Sequence, residues 1–139
     1  MKLVIFDHTA NRGGQRMQFR ALSINRRNAK ISFTRKATEE LNINTEKSVI
    51  FARDDESKND WYICLMPDQT TGIPVRAHNG AGFAKGYSTM SVTCRSLSAT
   101  ILDALKAKSG ATLLIDQTPV VIDGQEWYQL MTAKPLRLN

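Results

Sequence analysis

Residues 60–66 read DWYICLM, and residues 126–132 read EWYQLMT. An acidic residue, a Trp-Tyr pair and a run into Leu and Met occur twice, and the surroundings recur with them. Upstream of the first, KISFT (30–34) alternates Ile31 and Phe33 with Ser32 and Thr34, the period of a half-buried strand. Thr34 is placed to cap a short helix, RKATEEL, whose Ala37 and Leu41 fall on one face. Asn42 follows, where a helix end wants a residue tolerant of the left-handed conformation. KSVIFAR (47–53) and WYICLM (61–66) read as the next two strands, and FRALSIN (19–25) as the strand before. Upstream of the second, GIPVRA (72–77) and YSTMSVT (87–93) read as strands. Ser96 or Ser98 then caps a longer helix with Leu97, Ile101 and Leu105 in line, and Gly110 stops it. A long strand over 111–122 is broken near Pro119, and Asp123-Gly124 signals a two-residue hairpin.

The order of elements is therefore β-β-α-β-β, twice. The expected fold is α+β: a β-rich domain in which two tandem repeats share one core, since units this small rarely bury a core alone. Residues 1–18 form an N-terminal strand and a basic Gly-rich loop, 19–68 the first repeat, and 69–139 the second. Within each Trp-Tyr pair the two rings point to opposite faces of the strand, one into the core and one outward.

Charge is unevenly spread. The chain has 139 residues and a net charge of +6. Residues 1–36 carry nine Lys and Arg against Asp7 alone, whereas 37–70 are net negative. A basic block of this kind suits a polyanion such as nucleic acid; its bland counterpart is a solvated face with no partner. No apolar run approaches the roughly 20 residues of a membrane helix, and LVIF (3–6) is too short for a signal peptide. A soluble, cytoplasmic protein is expected. Cys64 and Cys94 form no C-x-x-C pair and are not flanked by His8 and His78 at zinc-finger spacing. Reduced thiols, no metal and no cofactor are expected.

Residues 22–56, which include the run AKISFTRKATEELNINTEKSVIFARDDE (29–56), resemble the AbrB/SpoVT family of swapped-hairpin transcription factors. Ala29-Lys30 stands where that family has Gly-Arg, Thr34 where it has Pro, and Leu41-Asn42-Ile43 at its Leu-Gly-Ile signal. Val49 and Phe51 supply the apolar face of the following strand, and Asp54-Asp55 its acidic turn. The resemblance covers about a quarter of the chain and does not extend to the second repeat. It implies a barrel of interleaved hairpins, built by two chains or by a duplication within one, and DNA binding through arginines near the first hairpin.

Catalytic patterns are missing from the sequence. Asn11-Arg12-Gly13-Gly14 is not a phosphate loop, no G-x-S-x-G elbow occurs, and Asp7-His8 reads as a solvated strand end. Asp54, Asp55 and Glu56 read as a hairpin turn. The expectation is a non-enzymatic nucleic-acid-binding protein, resembling a transcriptional regulator. Its partner would be duplex DNA first, with single-stranded DNA or RNA as alternatives, and it would act as a possible homodimer. Arg12, Arg16, Arg20, Arg26, Arg27, Lys30, Arg35 and Lys36 would contact phosphates. The competing expectation is a protein-interaction or self-assembling module in which the acidic stretch of one copy meets the basic stretch of another. An antitoxin-like wrap of a partner ranks last, because KPLRLN (134–139) is a short tail.

Overall fold

The computed structural model describes residues 19–57, 59–78 and 89–139. The expected strand at 3–6 and the Gly-rich loop holding Arg12 and Arg16 lie outside them. Eleven strands and two helices are described: β1 (Ala21–Asn25), β2 (Lys30–Phe33), α1 (Arg35–Glu40), β3 (Ser48–Arg53), β4 (Trp61–Met66), β5 (Ile73–Pro74), β6 (Arg76–His78), β7 (Thr89–Thr93), α2 (Arg95–Leu105), β8 (Gly110–Leu114), β9 (Val120–Ile122), β10 (Gln125–Leu130) and β11 (Arg137–Leu138). They form two antiparallel sheets, one ordered β11-β8-β1-β2-β7-β6 and the other β5-β3-β4-β10-β9.

The barrel expected from the sequence is not closed. The chain passes between the two sheets at two corners. At one corner the chain passes from β5, on the edge of the second sheet, through buried Val75 into β6 of the first. Pro74 has no N–H to donate, which suits an edge strand, and the Val75 N–H donates to the Lys47 carbonyl at 3.0 Å. At the other corner β8 runs on to Ile115, which meets Leu130 of β10 through an isolated bridge.

Strand alternation sets the core. Leu22 and Ile24 of β1, Ile31 and Phe33 of β2, Val92 of β7, and Ala111 and Leu113 of β8 point inward from the first sheet. Val49, Trp61, Ile63 and Leu130 meet them from the second. Burying one such aliphatic side chain stabilises the fold by roughly 1.5–3 kcal/mol. Ile101 and Leu102 of α2 are fully buried in the same cluster.

Helix α1 begins as its sequence dictates: the Thr34 hydroxyl accepts the Ala37 N–H at 3.3 Å. It ends with Asn42 at φ +53°, and the Ile43 N–H reaches back to the Thr38 carbonyl. Helix α2 departs from expectation at both ends. Its N-cap is Cys94, which makes no side-chain capping bond, while Ser98 lies inside the helix, buried, and donates to the Ala29 carbonyl at 3.2 Å. Its end is Lys106 in the left-handed conformation, not Gly110. Gly110 instead opens β8, where a Cβ would stand 2.7 Å from the Ile24 carbonyl oxygen. The hairpin signal Asp123-Gly124 forms as read, with both residues at positive φ and Ile122 paired to Gln125. The predicted strand over 111–122 is two, β8 and β9, parted around Pro119.

Candidate nucleic-acid interface

The alternation that sends Leu22, Ile24, Ile31, Phe33 and Leu113 inward sends Ser23, Asn25, Lys30, Ser32 and Thr112 to the opposite face of the first sheet. Ser23 is paired with Ser32 on one side and Thr112 on the other, so three hydroxyl residues form a row across three strands. Arg137 of β11 is paired with Thr112 and extends the row to the sheet edge. The Ser23 and Thr112 hydroxyls lie 2.9 Å apart and hydrogen-bond.

This face forms an open groove of about 790 Å³. Among the described residues three cationic side chains, Arg27, Lys30 and Arg137, line it, and no Asp or Glu does. The β1–β2 turn shapes one end. The Asn25 carboxamide oxygen accepts the Arg27 N–H at 2.9 Å, and that of Asn28 accepts the Lys30 N–H at 3.0 Å. Phe19 and Leu136 supply apolar walls and are 44% and 46% exposed. Phe19 is held through its backbone, for the Thr34 hydroxyl that caps α1 donates to the Phe19 carbonyl at 2.6 Å.

The eight residues expected to contact phosphates separate here. Arg27 and Lys30 line the groove. Arg26 turns away from it. Its Nε donates to the Lys108 carbonyl at 2.9 Å, and Nη2 donates to the Asp103 carboxylate at 2.8 Å and the Ala107 carbonyl at 2.9 Å. Arg20 is directed inward, with a side chain only 10% exposed, 3.5 Å from the Glu40 carboxylate and stacked at 4.7 Å over the Tyr128 ring. Arg35 is paired along α1 with Glu39 at 3.0 Å, and Lys36 is half-buried; neither lines the groove. Arg12 and Arg16 lie outside the described residues. Sequence reading missed Phe19 and Arg137. The signal for Arg137 was the alternation Leu136-Arg137-Leu138 in the short tail, where Arg137–Leu138 forms β11.

The described ionisable groups with shifted pKa values lie elsewhere. Burial raises the Tyr128 hydroxyl, and its hydrogen bond to the Glu126 carboxylate adds to the effect. Burial also pushes the Cys64 thiol up, which disfavours the nucleophilic thiolate. Asp68 is lowered to about 2, first by the Thr71 hydroxyl and then by the Thr71 and Thr70 N–H groups that its carboxylate accepts. Cys64 and Cys94 are both free. No cluster of three His, Cys, Asp or Glu able to hold a metal exists among the described residues, and no described helix is long and apolar enough to cross a membrane.

Compared with protein-family models, curated proteins and solved structures, the chain matches none.

Proposed function

We propose that this protein binds nucleic acid, without catalysis, through the groove on the outer face of the six-stranded sheet. The observation that carries the reading is the groove's composition among the described residues: three cations and no carboxylate side chain, on a floor of hydroxyl and amide groups. Cations bind phosphates, and hydroxyls and amides hydrogen-bond to sugars and bases.

We also read the chain as a duplicated swapped-hairpin fold, the arrangement implied by the resemblance to the AbrB/SpoVT family. Support comes from the pairing between halves. β1 pairs with β2 of its own half on one side and with β8 of the other half on the other, and β5 pairs across with β3. Within each sheet a strand lies beside its counterpart: β2 beside β7, and β4 beside β10.

The test is a salt titration of binding to labelled oligonucleotides by fluorescence anisotropy. The affinity is expected to fall linearly on a log–log plot, with a slope of roughly −0.7 to −0.9 per phosphate neutralised. Arg27→Ala with Lys30→Ala is expected to flatten that slope by about two phosphates' worth and to weaken binding at every sequence. Absence of binding at low salt would refute the proposal, and an unchanged slope in the double variant would take the groove out of it.

A further inference from the structure

We infer that the groove takes single-stranded nucleic acid and not duplex. This rests on the nucleic-acid reading above and narrows it. A protein reads a duplex by inserting a ridge, a helix or a two-stranded ribbon, into the major groove, which is about 12 Å wide. The cations here lie in a concavity, and a concavity has no ridge to insert. The fully described β9–β10 hairpin has the wrong sign for such a ribbon: from Asp116 to Glu126 it carries Asp116, Asp123 and Glu126 and no Lys or Arg. The β1–β2 turn is no better suited, since Arg26 at its start is turned away onto the end of α2.

A single strand needs a basic channel for its backbone and a ring face on which a base can stack. Both are present within one groove. Arg27 and Lys30 stand at the β1–β2 turn and Arg137 at the β11 side, and Phe19 presents an exposed ring between strand start and helix cap. Its carbonyl is held by the Thr34 hydroxyl, which anchors the backbone from which the ring projects. The hydroxyl row of Ser23, Ser32 and Thr112 supplies donors and acceptors to whatever lies across the floor. Stacking is indifferent to base identity, so the preference should be for strandedness more than for sequence.

The experiment compares fluorescein-labelled single strands of about twelve nucleotides, within the length that such channels cover, with a duplex of the same length at the same salt. The single strand is expected to bind at least about tenfold more tightly, and Phe19→Ala to weaken it roughly 5- to 150-fold, as loss of one stacked base does. Phe19→Ala should leave the salt slope unchanged, and Phe19→Trp should restore affinity. Because Phe19 is exposed, these variants leave the core intact, and their thermal unfolding should match the parent. If the duplex binds as tightly and Phe19→Ala has no effect, the single-strand inference falls while nucleic-acid binding stands. If neither form binds, both fail. If a poly-glutamate peptide displaces the single strand at equal concentration, the groove is a site for acidic peptides and the inference is overturned.

Discussion

The guanidinium of Arg26 donates to three acceptors, and two of them are carbonyls just past the end of α2. The third is Asp103, in the last turn of that helix, where the dipole disfavours a carboxylate. Arg26 thus ties the β1–β2 turn to the α2 terminus and offsets a local electrostatic cost. Arg26→Ala is expected to lower stability by about 2 kcal/mol, through the loss of charged hydrogen bonds, and to leave the salt slope of binding unchanged. Chemical denaturation with parallel anisotropy measurements would separate the two effects. Arg27, the next residue, carries the same charge and lines the groove. Sequence shows that residues 1–36 are basic; it does not show which cations already have partners. Arg20 makes the same point more sharply. It sits in the basic block, yet its side chain is nine-tenths buried between Glu40 and Tyr128, and both partners are remote in sequence.

At the scale of elements, what was legible was what local chemistry decides. Thr34 as a cap, Asn42 as a left-handed terminator and Asp123-Gly124 as a hairpin each rest on a side chain acting within a few residues of itself. What was illegible was decided by tertiary contact. Ser98 resembles a cap, but its hydroxyl is drawn to the Ala29 carbonyl across the core. Gly110 resembles a helix stop, but close approach to β1 is what requires it. The true stop, Lys106, holds φ +59° with a full side chain. A left-handed residue other than glycine costs roughly 1–2 kcal/mol, partly offset by glycine's freedom in the unfolded chain. Lys106→Gly is therefore expected to stabilise the protein by about 1 kcal/mol, read as a higher denaturation midpoint. The Trp-Tyr recurrence is instructive in another way. Trp61 is buried in the core, but in β10 it is Tyr128 that pairs with Ile63 and packs on the core, while Trp127 does not. The two matching strings are thus one residue out of step in their facing, and a one-residue slip exchanges the faces of a strand.

Over the whole molecule, the pairings of β1 with β8 and of β3 with β5 interlock the two halves. Neither half can complete a sheet alone: without residues 110–114, β1 loses a neighbour and Leu22 loses the cover of Leu113. A fragment spanning 19–68 is expected to be unfolded, with poor dispersion in its amide spectrum, whereas the full chain should unfold in one cooperative transition. A dispersed spectrum from the fragment would mean that the halves are separate folding units. A barrel was implied by the family resemblance; the strands instead divide between two sheets, with the chain crossing at Val75 and again after β8, a division that composition does not reveal. β9 is a terminal strand whose Val120, Val121 and Ile122 are 48%, 65% and 53% exposed. Such an unpaired, sticky margin invites other chains to add on. Here it is three residues long, preceded by Pro119 and bracketed by Asp116 and Asp123. Brevity, a missing N–H and like charge at both ends act as gatekeepers against fibre growth, so replacing those acids would expose an aggregation hazard that the fold otherwise holds in check.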